Sequence, residues 1–182
     1  TRFLRGAGRG QAAVPDGRTE RTMAMTDLQI TPIPTAHAEA LWAGGPDFHG
    51  APPERHVSDG DDVPCRHCLR EVAAGEPYLV LSFCPFPTPQ PFAEVGPIFL
   101  HAEPCAAYRT GGELPAMYRG GEARIVRGYG QDDRIIYGTG KVVAPEEITA
   151  YAADLLTRPA VAYLHVRSST NNCFAFRIDR KS

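Results

Sequence analysis

Lysine is almost missing from this chain: arginine outnumbers it 17 to 2 in 182 residues. No function attaches to that bias, but other absences exclude more. No stretch approaches the ~20 consecutive apolar residues that a membrane-spanning helix requires. The first 22 residues lack the apolar core of 7–15 residues that marks a secretory signal. They carry five arginines against Asp16 and Glu20, a net of +3, whereas the remainder of the chain has a net of −5. A mildly acidic body disfavours nucleic acid as a partner, because that affinity comes chiefly from neutralising phosphates. An anionic membrane surface would repel it too. Met23 or Met25 opens a natural reading frame, so residues 1–24 are expected to be a disordered extension from an upstream start. Residues 25–182 are expected to form one cytoplasmic domain.

What is present is ordinary for a globular protein, with 43% hydrophobic and 22% charged residues, enough for one real core. Glycine (18) and proline (17) are plentiful, which argues for many turns and against a helical bundle. Five cysteines is an odd number, and with no export signal it favours a metal or isolated thiols over a disulfide framework.

Residues 35–42 (T-A-H-A-E-A-L-W) read as a short helix with Thr35 as N-cap, followed by a polar loop over 44–62. Residues 76–83 read as a strand, with Leu79, Leu81 and Phe83 on one face. Four alternating prolines, Pro85 to Pro91, then predict a stiff polyproline-like excursion, read as a rigid loop in preference to a docking motif. A strand over 95–100 and a short helix over 103–108 follow. Residues 123–129 and 134–143 read as two strands of a hairpin turning at 130–133. The clearest helix starts near Pro145, with Ile148, Tyr151, Ala152, Leu155 and Leu156 on its apolar face. Strands over 161–167 and 173–179 close the chain. The expected fold is α+β: a mostly antiparallel sheet of about six strands with two or three helices.

The chemistry concentrates in two pairs. Cys65-Arg66-His67-Cys68 places two thiols on one tight turn, and His101 and Cys105 follow after 32 residues. Zinc takes four nitrogen or sulfur ligands in a tetrahedron, and ligands paired at short spacing leave few loops to close. A knuckle, two strands and a helix start bearing the second pair make a treble-clef-like order. The expectation is a structural zinc held by Cys65, Cys68, His101 and Cys105, with Arg66 or Arg70 offsetting its negative charge and His67 facing solvent. The competing readings are an unligated, reduced turn beside packed residues, and a redox dithiol, which lacks a βαβ pattern before Cys65. Cys84 and Cys173 read as small buried hydrophobes.

An enzymatic reading stands beside these. Zinc deaminases carry H-x-E and P-C-x-x-C, and His101-Ala102-Glu103 and Pro64-Cys65-Arg66-His67-Cys68 supply both pieces in reversed order. For that chemistry Cys105 would have to leave a coordination position open.

From Val63 to Arg177 the chain resembles the uncharacterised bacterial family of domain of unknown function 1203. The segments that carry the likeness are P-C-R-H-C-L-R, G-E-P-Y-L-V-L-S-F-C-P-F, G-P-I-F-L-H-A-E-P-C, V-A-Y-L-H-V-R and N-C-F-A-F-R. The resemblance implies a compact stand-alone domain and supplies no activity. A fainter likeness, to the nick-sensing zinc fingers of poly(ADP-ribose) polymerases, rests on the ligand pattern alone. Its last gap is one residue longer here, and few basic residues lie between Cys65 and Cys105.

Among other polar residues, His165 and Arg167 share a strand face with Tyr163. With Arg177 they form a possible ligand face for an anion, set against a plain solvated sheet face, which is the preferred expectation. Glu94, Arg127 and Tyr129 stay ambiguous because the strand register is open. The preferred reading is a non-catalytic, zinc-stabilised module that binds a protein or small ligand. The alternative is a metal-dependent or His/Arg-based enzyme.

Overall fold

A computed structural model describes residues 27–109 and 111–181; the extension expected at 1–24 lies outside the described residues. The strands fall into two antiparallel sheets rather than one, and period-two burial marks three of them, at 28–31, 77–83 and 96–101. The first sheet has five strands: β1 (Leu28–Thr31), β5 (Arg124–Tyr129), β6 (Lys141–Val143), β7 (Tyr163–Ser168) and β8 (Phe174–Arg180). Their order is β1-β8-β7-β5-β6. The second sheet is β2-β3-β4, with β2 at Glu54–Val57, β3 at Pro77–Phe83 and β4 at Gly96–His101. Two α-helices, α1 (Thr35–Trp42) and α2 (Ile148–Thr157), complete an α+β fold. No helix among the described residues is long and apolar enough to cross a membrane.

Each sheet covers its own core. Ile148, Ala152, Leu155 and Leu156 of α2 pack on Val126, Leu164, Val166 and Phe176 of the five-stranded sheet. Ala38 and Leu41 of α1 join Leu79, Leu81, Ile98 and Leu100 of the three-stranded sheet, together with Cys65 and Cys68. Two residues cross between them. Phe174 of β8 belongs to the second core, and Leu69, next to Cys68, belongs to the first.

Four expectations need correction. The loop over 44–62 contains β2, whose residues are all exposed, so no buried alternation announces it. Thr35 opens α1 instead of capping it, and its hydroxyl is turned to His67. The segment 103–108 is not helical: it is drawn across the knuckle, where the Tyr108 N–H donates to the His67 carbonyl. Only 141–143 of the strand expected over 134–143 is a strand. Thr139 folds back onto β5, its hydroxyl accepting from the Gly128 N–H at 2.9 Å. A Cβ on Gly128 would lie 3.1–3.2 Å from Thr139, so glycine is what allows that approach.

Candidate metal centre

The first ligand pair sits on a tight hairpin. The Cys65 N–H donates to Arg70 O at 2.9 Å and the Leu69 N–H to Cys65 O at 3.0 Å. Leu69 takes a left-handed φ of 53° to close the turn. Further backbone bonds fasten this hairpin on both sides, Arg66 N–H to Phe99 O of β4 and Ile33 N–H to Arg66 O. The second pair lies at the end of β4 and just beyond it, so the β3–β4 hairpin carries His101 to the knuckle.

Cys65, Cys68, His101 and Cys105 therefore converge, their ligand atoms all within 4.8 Å of one another, and the group could hold a metal ion. Cys65 Sγ and Cys105 Sγ are 3.8 Å apart, and Cys68 Sγ and His101 Nδ1 3.5 Å. A disulfide needs about 2.05 Å between sulfurs, and all five cysteines are free. Cys84 and Cys173 are half-buried and outside the cluster.

Three groups support the ligands from behind. His101 presents Nδ1 to the cluster and Nε2 to Glu76, whose carboxylate is 3.6 Å away, the carboxylate–histidine arrangement that fixes ring orientation at metal sites. His67, expected in solvent, is buried, with Nδ1 3.4 Å from Cys105 Sγ and Nε2 3.0 Å from Thr35 Oγ1. Burial keeps its pKa below the ordinary value. With the proton on Nδ1 it donates to the Cys105 sulfur and accepts from Thr35. Arg70 is held more firmly charged by its contact with Cys68, so it, not Arg66, offsets the sulfurs. Arg66 instead turns inward and donates to Tyr118 Oη at 2.9 Å.

The thiols share their protons unequally. Contact with Cys105 and Cys68 pushes Cys65 well below the usual thiol range, while the Cys65 contact, together with burial, pushes Cys105 up. The cluster thus carries a first negative charge readily and resists another, a resistance that a bound cation removes. A cleft of about 550 Å³, lined by Arg70, Glu76, His101, Glu103 and Cys105 among others, opens beside it.

The expected ligand face is not the solvated sheet face that was preferred for it. The register places Arg127, His165 and Arg177 in one row across β5, β7 and β8. His165 is completely buried among Phe86, Tyr129, Tyr163 and Phe174, with ring centroids 4.7–5.2 Å away. Phe86, from the proline-rich segment, is the residue that closes the cover, and it makes that segment a packed strap. Arg177 is paired off, bound to Asp179 and stacked 3.7 Å above Tyr163. Its place beside Arg167 is taken by Glu94 and Arg127. Glu94 lies 2.7 Å from Arg127 Nη1 and 2.9 Å from Arg167 Nη2.

Among the described residues neither His165 ring nitrogen has a hydrogen-bond partner. Burial first, then Arg167, Arg177 and Arg127, push its pKa well below 6.5, so it is neutral when folded. Below about pH 6.5 the unfolded chain takes up a proton at this position that the folded chain does not. Stability contributed by neutral His165 is therefore present above that pH and lost as pH falls. Well below pH 6.5 the slope from this one group approaches about 1.4 kcal/mol per pH unit, and across pH 7 to 5.5 it sums to roughly 1.3 kcal/mol. In His165→Leu the fall in urea-unfolding stability between pH 7 and 5.5 should be smaller by that amount; parallel profiles would contradict the assignment.

No curated protein and no solved structure matches the chain. The family model described as "Protein of unknown function (DUF1203)" matches residues 62–180, which include all four residues of the Cys/His cluster and both sheets' central strands. The chain belongs to this family of domains of unknown function.

Proposed function

We propose that Cys65, Cys68, His101 and Cys105 hold one structural zinc ion, and that the protein is a non-catalytic module binding a protein or small ligand. The observation that carries the reading is the spacing of the donors. Zinc–sulfur bonds of about 2.3 Å and zinc–nitrogen bonds of about 2.0–2.1 Å give tetrahedral edges of roughly 3.8 Å for S···S and 3.5 Å for S···N. Two of the six distances within the cluster, 3.8 Å from Cys65 to Cys105 and 3.5 Å from Cys68 to His101, match these edges, and all six lie within 4.8 Å. A soft set of three sulfurs and one nitrogen suits zinc better than calcium or magnesium, which take oxygen ligands.

Four protein ligands fill a tetrahedron and leave no position for an activated water, which supports a structural role over catalysis. Glu103 would be the acid/base in a deaminase-like site, but its carboxylate is exposed and pairs with Arg55 at 2.9 Å. Cys105, which that chemistry needs off the metal, is within the ligand group.

Elemental analysis of the purified protein and of Cys105→Ser tests the proposal. One zinc per chain is expected in the wild type, and a clear deficit in the variant, because a serine hydroxyl is a poor zinc ligand. Negligible metal in both would overturn it.

A further inference from the structure

The buried arginine at 167 has more donors than partners. Its side chain is 3% exposed, and Nη1 donates to Asn172 O at 3.0 Å, but Nε and Nη2 make no hydrogen bond. Nη2 is close to Glu94 Oε2, yet off the angle at which a hydrogen bond forms. Unpaired buried donors of a charged group are rare in native proteins and call for an explanation.

Charge gives a second, independent indication. Among the described residues Glu94 is the only carboxylate forming an ion pair with Arg127 or Arg167. Arg177 is balanced by Asp179, and His165 is neutral. Two guanidinium groups thus share one carboxylate, so the cradle is cationic with Glu94 in it and more so when Glu94 leaves, and it attracts a carboxylate that takes that place. His165, whose ring nitrogens have no hydrogen-bond partner among the described residues, is the cross-strand partner of Arg127.

We propose that Arg127, Arg167, Tyr129 and Asn172 form a binding site for the carboxylate of a small organic acid, in which Glu94 is the internal stand-in. Glu94 shows what the cradle takes. Its two oxygens meet Arg127 at 2.7 Å and Arg167 at 2.9 Å, with Tyr129 Oη and Asn172 Nδ2 each at 3.5 Å. Two planar guanidinium forks, one at each oxygen, recognise a planar carboxylate better than a spherical anion. The supports of the parts differ in the right sense. Both arginines stand on paired strands, whereas Glu94 rides on the proline-rich connection between β3 and β4, with its side chain 30% exposed. A ligand enters as Glu94 swings out, and its affinity is reduced by the fraction of time Glu94 is seated.

This names a ligand class for the binding role proposed above and rests on that reading only there; it does not depend on the metal. The test uses the full chain, titrated calorimetrically with acetate, and with sulfate or chloride at equal ionic strength. Wild type should bind acetate weakly and Glu94→Gln roughly tenfold or more tightly, the gain expected if Glu94 is seated about nine-tenths of the time. Glu94→Gln/Arg127→Gln should lose the binding. Arginine guanidinium NMR spectra of the wild type read the same site without any substitution, and acetate should shift the Arg127 and Arg167 Nε–H signals. Unshifted signals, equal affinity of Glu94→Gln and wild type, or equal binding of sulfate or chloride would each overturn the proposal. Zinc measured on the same samples keeps a failure here apart from a failure of the metal site.

Discussion

Stripping the metal with a strong chelator at neutral pH is expected to lower the melting temperature of the protein by roughly 10 °C or more, the shift that about 4 kcal/mol produces in a domain of this size. On the proposed reading the ion would bind the folded cluster, for which the unfolded chain has no preformed site, so its binding free energy would add to folding. Its leverage comes from position. The knuckle touches β4 through Arg66 N–H, α1 through His67 and Thr35, and the 103–108 segment through the Tyr108 N–H. Without a cation, the same cluster confronts three crowded sulfurs, one of which must hold a proton that its neighbours make hard to release. Readdition of zinc should restore the melting temperature, and calcium should not. A melting curve unmoved by chelation, in protein shown to have lost its metal, would contradict a structural role.

Leu69→Ala is expected to be strongly destabilising although it removes no member of the Cys/His cluster. The side chain is 1% exposed, and it is the knuckle's contribution to the core of the five-stranded sheet. Truncating a buried leucine costs about 2–5 kcal/mol, depending on how far the cavity collapses. Tyr118 belongs to the same core and is held by a hydrogen bond from Arg66, the residue two before Cys68. The left-handed backbone at this position is no easier for alanine than for leucine, so no relief offsets the lost contacts. Urea unfolding should register the loss while zinc content stays at one per chain. A change below about 1 kcal/mol would mean that the knuckle is not packed against the larger core as described.

The legible parts of this molecule are those written in local spacing. C-x-x-C and H-x-x-x-C specify the ligand set, since each pair needs only a turn or a strand end to present both side chains. Leu79, Leu81 and Phe83 announce β3, and Ile148, Ala152, Leu155 and Leu156 announce the buried face of α2. What cannot be read depends on partners far along the chain. His67 reads as a turn residue because nothing local reveals that Thr35, 32 residues earlier, lies against its ring. The helix expected over 103–108 has suitable residues, but tertiary bonds to the knuckle and to Glu113 hold it extended. Glu94, Arg127 and Arg167 need the β5–β7 register and the path of the proline-rich strap before they can be brought together. Of the two edge strands, β1 alternates over only four residues and is fixed by pairing with β8 at the far end of the chain, and β2 is exposed throughout, with no alternation to read.

Zinc-edge X-ray absorption on the purified protein tests the central claim most directly, because it reads the donor atoms around the ion. Three sulfurs at about 2.3 Å and one nitrogen at about 2.0–2.1 Å are predicted. A shell dominated by oxygen, or one with two sulfurs and a water, would contradict the account.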